Sequence, residues 1–473
     1  MARGRRAPDL VVVGGGTAGI VAAATAAALG AEVVLVEQQR TGGDCLWTGC
    51  VPSKALLAAA AAAAHARGAA PLGIDAAVTV RFADVMQHVR AAIATIEPDD
   101  APAALERAGV RVVHGRARFT GPCDVAVGDE TLPFERAVLA TGARPTIPSL
   151  PGLADVDPLT SDTLWELDAL PPRLVVLGGG GIGCELGQAF ARLGSDVTVI
   201  ESLLRLLPRE DPDASALVTA ALRRDGVRVL TGHAVTAVTG SPAGGDVIVG
   251  GSEHVPFDRI LVAVGRTPAT SGLDLDRALI RCDARGNVVV DRHLRTSNAR
   301  IWAAGDLTGH PQLTHVAGVH GGIAATNAVL GLRRAVTGRA VPRVTFTDPE
   351  VAAVGAGADD PGVRSVTRLH DHVDRAVADG RTAGFARLHL DARNRIVGAT
   401  VVGPRAGESL AELTLAVRLG LRARDLAATT HPYPTYGDGP WNAAIDVVRA
   451  GLAAPAASRA VRTLLAARRA LTR

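Results

Sequence analysis

Two cysteines, Cys45 and Cys50, lie five positions apart in the glycine-bounded segment Gly42–Lys54. Such a pair can store two electrons as a disulfide and release them as a dithiol. Free cysteine is also common as a small buried hydrophobe, and zinc sites use cysteine pairs that are closer in sequence and need two further ligands. The remaining three cysteines are scattered singly, so the spacing favours a redox pair over a metal site, and no resident metal is expected.

A glycine fingerprint precedes the cysteine pair. The β-branched run Asp9–Val13 enters Gly14, Gly16 and Gly19, and an Ala-rich helix follows to Gly30. In such a turn the first glycine permits the bend, the second admits a pyrophosphate and the third lets helix pack on strand. The next strand ends at Glu37, where an acid can bond a ribose, so the pattern predicts a dinucleotide site.

The same pattern recurs later in the chain. The strand Leu174–Leu177 enters Gly178, Gly180 and Gly183, and a second strand, Asp196–Glu201, ends in an acid. One chain therefore contains two dinucleotide sites. Because a carboxylate at Glu201 would bond a ribose 2′-hydroxyl and repel a 2′-phosphate, NADH is favoured there, and the nearby Arg205 leaves NADPH open.

Length and composition limit the classes of protein. A chain of 473 residues is longer than a single hydrophobic core usually accommodates, which favours about three domains. The net charge of +3 gives no reason to expect nucleic acid binding. Five cysteines, an odd number, favour a reducing, cytoplasmic setting over a secreted disulfide scaffold. We expect no integral membrane segment, because no uninterrupted apolar run approaches about 20 residues.

The order of these patterns predicts an α/β protein with two doubly wound, Rossmann-like domains and a separate C-terminal α+β domain. The expected division is a first nucleotide domain in two parts (7–150 and 271–338), a second nucleotide domain (151–270), a C-terminal domain (339–450) and a basic helical tail (451–473).

Further segments carry a resemblance to a known family. They are Ala140–Gly142, Ala303–Asp306, Val344–Glu350 and Val354–Gly355. With the cysteine segment and the fingerprints, they make nearly the whole chain resemble the flavoprotein disulfide reductases (class I pyridine nucleotide-disulfide oxidoreductases), the group of dihydrolipoamide dehydrogenase, glutathione reductase and mercuric reductase. The resemblance implies bound FAD, NAD(P)H as donor, and a homodimer formed through the C-terminal domain.

The resemblance also implies residue roles. Cys50 would lie next to the flavin and Cys45 would meet the acceptor. Lys54 would sit near the flavin N5 and pair with Glu185. FAD would bind at the first fingerprint and Asp306, and the nicotinamide nucleotide at the second. The residues expected to bind the cofactors are Gly14, Gly16, Gly19, Glu37, Gly43, Thr141, Gly142, Asp306, Gly178, Gly180, Gly183, Glu201 and Gly265.

The chain departs from the family pattern at one place. Disulfide reductases place a histidine just before Pro-Thr and a glutamate five residues after that histidine; here these positions are Tyr433 and Asp438. A tyrosine with a pKa near 10 exchanges protons poorly at neutral pH, so efficient disulfide exchange is not expected. Tyrosine at this position is similar to mercuric reductase, although the tail cysteine pair of that enzyme is missing. His431 could substitute only by a shift of two residues, and a loop role is favoured.

The sequence thus predicts an FAD-dependent NAD(P)H oxidoreductase that passes two electrons through Cys45 and Cys50 to a small acceptor, a metal ion or a disulfide. Tyr433 and Asp438 would face the partner subunit's Cys45. The alternatives are a dihydrolipoamide dehydrogenase-type disulfide reductase, a quinone reductase or diaphorase, and a non-catalytic flavin redox sensor.

Overall fold

A computed structural model describes residues 7–472. Its strands are β1 (Leu10–Val13), β2 (Val33–Glu37), β3 (Val110–His114), β4 (Ala117–Gly121), β5 (Asp124–Val127), β6 (Glu130–Pro133), β7 (Ala137–Leu139), β8 (Ala143–Pro145), β9 (Arg173–Leu177), β10 (Asp196–Glu201), β11 (Arg228–Thr231), β12 (Val235–Ser241), β13 (Gly244–Val249), β14 (Glu253–Phe257), β15 (Arg259–Val262), β16 (Arg266–Pro268), β17 (Ile301–Ala303), β18 (Arg343–Thr345), β19 (Glu350–Gly355), β20 (Arg364–Leu369), β21 (Phe385–Leu390) and β22 (Ile396–Gly403).

The helices of the same residues are α1 (Thr17–Ala28), α2 (Gly43–Trp47), α3 (Cys50–Arg67), α4 (Phe82–Asp100), α5 (Pro102–Arg107), α6 (Gly181–Leu193), α7 (Pro212–Arg224), α8 (Thr314–Leu330), α9 (Asp374–Ala378), α10 (Ala406–Leu419), α11 (Ala423–Ala427), α12 (Asp438–Ala453) and α13 (Pro455–Leu471). The chain forms two compact units. The first runs to Ser202 and from Asp225 to Val336, and the second comprises Leu203–Arg224 and the residues from Thr337 onward.

The first unit repeats one architecture twice. A parallel sheet in the order β17-β7-β1-β2-β3 carries the first fingerprint, and a parallel sheet in the order β11-β10-β9-β15 carries the second. The inner strands β1 and β7 are entirely apolar and buried, as expected where both faces of a parallel sheet are covered. Helices α1 and α8 pack on one face of the first sheet, and the antiparallel strands β4-β5-β6 cover the other.

The second unit is built on an antiparallel sheet in the order β18-β19-β22-β21-β20. Helices α10 and α12 bury their apolar faces against this sheet. The segment 203–224 is joined to it by ion pairs: Arg387 bonds Asp211 at 2.6 Å and Asp213 at 2.7 Å, and Arg343 bonds Glu210 at 2.7 Å. The predicted α/β architecture is therefore confirmed, while the bounds of the five predicted segments stay a prediction.

The predicted C-terminal helix from Gly451 is displaced in the structure. Helix α12 continues to Ala453, and α13 begins only at Pro455. Ala454 between them is extended, with φ −57° and ψ 142°. The residue before a proline is disfavoured in the helical region, which separates the two helices at this point. Arg473, the last residue of the predicted tail, lies outside the described residues.

By length and composition, one helical stretch among residues 7–472, Gly43–Arg67, could cross a membrane. It comprises α2 and α3, and α3 buries Pro52, Leu56 and Ala60 on the face that contacts α4 and α6. A core helix passes the same test, so composition alone does not establish a membrane span here.

The crossing of α1 and α8 depends on a glycine at the point of contact. A Cβ on Gly321 would lie 2.2 Å from the carbonyl oxygen of Ala18, whereas a Cβ on the neighbouring Gly322 would make only ordinary contacts at 3.8 Å or more. Because the obstacle at Gly321 is backbone, the helices themselves would have to move apart.

We therefore expect Gly321→Ala to destabilise the protein by about 1–3 kcal/mol through overpacking. Gly322→Ala, in the same helix, is expected to be neutral or to stabilise by roughly 0.5–1 kcal/mol, because alanine is the better helix former. Urea unfolding of both variants measures the difference. Equal stability of the two variants would show that the close approach of α1 and α8 does not constrain the fold.

Candidate active site

The cysteine segment comprises the short helix α2, a break at Thr48 and Gly49, and the first turn of the long helix α3. Cys45 lies within α2, and Cys50 is the first residue of α3. Gly42, before α2, has φ +100°, which favours glycine. A Cβ on Gly49 would lie 2.8 Å from the carbonyl oxygen of Asp44, so the break itself needs a glycine. The turn places the two thiols close enough to shift each other's pKa, and both cysteines are free thiols in this structure.

Two side chains from elsewhere in the first unit hold this segment. The Trp165 indole N–H donates to the carbonyl oxygen of Thr48 at 2.9 Å. The Arg266 guanidinium pairs with the Asp44 carboxylate and also donates to the carbonyl oxygen of Ala143 at 2.7 Å. The sequence analysis assigned no role to Arg266 or to Asp44. A charged residue directly beside a cysteine was the available signal.

The surroundings polarise the thiol pair. The hydrogen bond from Cys45 lowers the pKa of Cys50 to about 6 against the opposing effect of burial, and Thr314 and the Lys54 charge lower it further. The Thr314 hydroxyl lies 3.2 Å from the Cys50 sulfur. The same bond to Cys50, together with burial, raises the pKa of Cys45. The pair therefore keeps its remaining proton on Cys45 and places the thiolate on Cys50.

One ion pair connects the cysteine helix to the second fingerprint helix. The Lys54 ammonium lies 2.9 Å from Glu185 Oε2, and the side chains are 39% and 10% exposed. Lys54 is the only lysine among the 50 basic Lys and Arg residues of the chain. Arginine occupies every other such position, so this composition singles out Lys54, a signal that the sequence analysis did not use.

The two glycine fingerprints have the same geometry. Gly14 has φ +105° and Gly178 φ +106°. In each turn, a Cβ on the third glycine, Gly19 or Gly183, would lie within about 2 Å of the first glycine's carbonyl oxygen (1.8 and 2.0 Å). A Cβ on the middle glycine meets nothing closer than 3.8 Å in the first turn and nothing within 4 Å in the second. The middle positions, Gly16 and Gly180, thus leave open space at a helix N-terminus.

The acid of each fingerprint bonds its own glycine turn. Glu37 Oε2 accepts the Gly15 N–H at 2.6 Å, and Glu201 Oε2 accepts the Gly179 N–H at 2.7 Å. Beside Glu37 lies a cleft of about 160 Å³ whose lining includes Thr41. The sequence analysis expected these acids to face a ribose, and the structure shows that each first stabilises the turn.

The other predicted cofactor residues surround this region. A Cβ on Gly43 would lie 2.6 Å from the Gly16 Cα, so Gly43 lets the cysteine segment touch the first fingerprint. The Thr141 hydroxyl donates to the carbonyl oxygen of Ala269 at 2.8 Å, which is a structural bond. Burial raises the pKa of Asp306 to about 6. Gly142 (φ +71°) and Gly265 (φ +131°) face open space.

These features fit a dinucleotide such as FAD at the first fingerprint. The N-terminus of α1 presents unpaired backbone N–H groups and a positive dipole end beside the open Gly16. Asp306, half-buried and with a raised pKa, is a carboxylate that gains from a hydroxyl donor. The residues described include no group of three or more His, Cys, Asp or Glu side chains that could hold a metal ion.

The second unit holds the remaining predicted residues. The Tyr433 hydroxyl donates to Asp374 Oδ2 at 2.6 Å, and its side chain is 68% exposed. Asp438 is buried, accepts the Thr435 N–H at 3.2 Å through Oδ2, and has no partner for Oδ1 among the described residues. Asp374 was not predicted, because it lies 59 residues before Tyr433 and no local pattern connects them.

His431 is engaged on both ring nitrogens. Nε2 lies 2.9 Å from Glu412 Oε2, and Nδ1 lies 2.9 Å from the carbonyl oxygen of Thr429. Its ring stacks on Trp441 with the ring centres 5.3 Å apart. These contacts are those of a loop-stabilising histidine.

The chain matches two family models. Residues 8–321 match the pyridine nucleotide-disulphide oxidoreductase family, and residues 341–444 match the dimerisation domain of that family, which indicates a homodimer. The expected α/β class, with its nucleotide-binding domains and dimerisation domain, is thereby confirmed. Members of the family bind FAD and a pyridine nucleotide.

Individual relatives agree with these matches. The chain is 38% identical to a mercuric reductase from Streptomyces lividans over 93% of this chain and 96% of that protein. It is 36% identical to a dihydrolipoyl dehydrogenase from Thermus scotoductus over 92% and 96% of the two chains. The crystal structure of LpdA from Mycobacterium tuberculosis superposes with a TM-score of 0.85, at 30% identity over 93% of this chain and 99% of that one. With the resemblance predicted from its motifs thus confirmed, the chain belongs to the pyridine nucleotide-disulphide oxidoreductase family.

Proposed function

We propose that this oxidoreductase uses FAD and NAD(P)H to keep the Cys45–Cys50 pair reduced, and that the pair reduces a small electrophilic acceptor, with a thiolate-bound metal ion favoured over a disulfide. The observation that carries the proposal is the polarised thiol pair. Its Cys50 pKa is lowered to about 6, while the Cys45 pKa is raised. One sulfur is thus a thiolate at neutral pH, and the other keeps its proton.

Bound FAD would accept hydride from NAD(P)H and deliver two electrons to the sulfur pair. Reduction of the pair would consume one NAD(P)H, release NAD(P)⁺ and convert the disulfide into the Cys45 thiol and the Cys50 thiolate, with the hydride supplying both electrons and the proton on Cys45. The open space at Gly16 and the adjoining helix N-terminus would hold the pyrophosphate, and Asp306 would accept a hydrogen bond from a hydroxyl of the cofactor. Lys54 places a positive charge beside Cys50. The largely buried Glu185 carboxylate pairs with that charge.

The acceptor side favours a metal ion. Oxidation of the Cys45 thiol and the Cys50 thiolate by a divalent ion yields the disulfide, the reduced metal and one released proton, so no side chain has to donate a proton. Reduction of a disulfide acceptor instead requires a proton on each leaving thiolate. Tyr433 already donates its hydroxyl hydrogen to Asp374, and this bond raises its pKa further above its usual value. It is therefore a poor acid–base group at neutral pH.

The relatives named mercuric reductase support the metal acceptor, and those named dihydrolipoyl dehydrogenase support a disulfide as the second candidate. NADH is the proposed donor, because the buried Glu201 carboxylate would repel a 2′-phosphate. Arg205 is the residue that could have bound a 2′-phosphate. It donates instead to the carbonyl oxygens of Pro208 and Glu210, which further supports NADH. A cytoplasmic location and the partner subunit's Cys45 as the group facing Tyr433 stay predictions.

Anaerobic titration of the purified holoenzyme with NADH tests the thiolate directly. We expect a long-wavelength absorbance band from the Cys50 thiolate against the flavin, at lower concentrations of NADH than of NADPH. Because the Cys50 pKa is lowered, the band is present above pH 6 and is lost as the pH falls through about 6. Lys54→Met removes a charge that favours the thiolate, so its midpoint is expected to rise toward the ordinary value near 8.5. A band that is indifferent to pH between 5 and 8, or that is missing, would contradict the proposed polarisation.

Substitution of both active-site cysteines tests the route of the electrons. Cys45→Ser with Cys50→Ser is expected to lower Hg(II) and disulfide reduction by more than about 100-fold, because the only dithiol is lost. Direct reduction of a quinone by the bound flavin should persist. Cys282→Ser, at an exposed cysteine without a partner thiol, is the matched control and should change neither rate. If metal and disulfide reduction survive in the double variant, the dithiol route is wrong.

The Tyr433–Asp374 bond has a clean readout, because the chain has only two tyrosines. The bond to a carboxylate stabilises the protonated phenol, so Tyr433 ionises above pH 10, and Asp374→Asn is expected to lower its midpoint toward 10. The difference in ultraviolet absorbance between each protein and its Tyr433→Phe counterpart isolates Tyr433 from Tyr436, whose pKa is raised to about 12. Asp379→Asn, which removes the bond to Tyr436, is the control. An unchanged Tyr433 midpoint in Asp374→Asn would show that the bond does not form in solution.

A further inference from the structure

Helix α13, Pro455–Leu471, makes little contact with the rest of the second unit. No residue of this helix is buried, and its neighbour is α12, the helix that directly precedes it. Leu464 is 70% exposed and Leu471 is 87% exposed. An isolated helix of this length is marginal in water, since most helix stability in proteins comes from packing of an apolar face. The helix therefore presents a face that needs a surface to cover it.

The two sides of α13 differ in chemistry. The residues Val461, Leu464, Leu465 and Leu471 follow helical spacing and form one apolar face. Arg459, Arg462 and Arg469 lie on the other side. No acidic residue occurs after Asp446, so every charge on this helix is positive. Arg468 falls on the apolar face, close to the C-terminal end of the helix. A long arginine side chain there can extend its charged group to the polar side.

This combination distinguishes between the possible partners. A nucleic acid would use the arginines but leave the aliphatic face exposed. A neutral apolar groove on a protein would use the aliphatic face but leave three positive charges without a complement. A surface with negative headgroups above an apolar layer satisfies both faces at once.

We propose that α13 binds flat against the surface of an anionic phospholipid bilayer, with its leucines in the outer acyl region and its arginines at the headgroups. The proposal goes beyond the oxidoreductase function and does not depend on which acceptor is reduced. It places the enzyme on a membrane without a spanning segment, because the helix is amphipathic and its apolar side is narrow.

The test uses the full-length holoenzyme in vesicle flotation. Vesicles of phosphatidylcholine with about 30% phosphatidylglycerol are expected to retain the protein at low salt, and pure phosphatidylcholine vesicles are not. In Arg462→Gln with Arg469→Gln, the affinity should fall about 30-fold, since each arginine near an anionic surface contributes roughly fivefold. Leu464→Ser with Leu465→Ser should also weaken binding, which electrostatic attraction alone does not predict.

The matched control is Arg223→Gln with Arg224→Gln, which removes the same charge from two exposed arginines at the end of α7. It should bind as the unchanged protein does. Equal loss in the control, or binding that does not distinguish the two kinds of vesicle, would overturn the proposal. Sedimentation of each variant completes the test: a change in oligomeric state caused by the α13 substitutions would assign the helix to a contact between subunits and sink the lipid assignment. Bound FAD and dye reduction should stay unchanged in all variants, which separates loss of binding from misfolding.

Discussion

The ion pair between Lys54 and Glu185 is the interaction on which the proposed electron path depends. It joins the helix that begins with Cys50 to the helix of the second fingerprint, and so fixes the thiol pair relative to both nucleotide sites within the first unit. Glu185 is 8% exposed, and a carboxylate so far from water is costly without a cation. A chain that uses arginine everywhere else keeps lysine here. A compact ammonium differs from the planar fork of a guanidinium, so the position favours the smaller group.

The two glycine fingerprints share one backbone arrangement. In each fingerprint a glycine with positive φ makes the turn, and a third glycine allows the helix to touch it. The acid at the end of the next strand holds the turn through the N–H of its second residue, Gly15 or Gly179. Each acid thus stabilises its own turn, whether or not it also binds a ribose. Gly43 adds a third close approach, because it brings the cysteine segment against Gly16. The redox pair and the proposed FAD site are therefore positioned by the same backbone contacts.

The region around Tyr433, proposed to serve the acceptor, is organised differently. Tyr433 is exposed and oriented by Asp374, and Asp438 is buried with no partner for Oδ1 among residues 7–472. His431, two residues before Tyr433, is bonded on both nitrogens and stacked on Trp441. Neither Tyr433 nor His431 is therefore well suited to transfer a proton at neutral pH. That property, more than any single substitution, supports an acceptor that is reduced without being protonated.

The sequence by itself determined the parts whose chemistry is local. The glycine turns, the strand and helix on either side of each turn, and the cysteine pair are written within about 30 consecutive residues, because backbone conformation and helix termini depend on near neighbours. It could not reveal Arg266 against Asp44, Trp165 against Thr48 or Asp374 against Tyr433, since these partners are 59 to 222 residues apart. Nor could it show that Glu37 and Glu201 bond their own turns. Those contacts arise only when distant strands and helices are brought together. The same holds for Thr314, which lies beside the Cys50 sulfur and lowers its pKa, and for Asp374, which orients Tyr433.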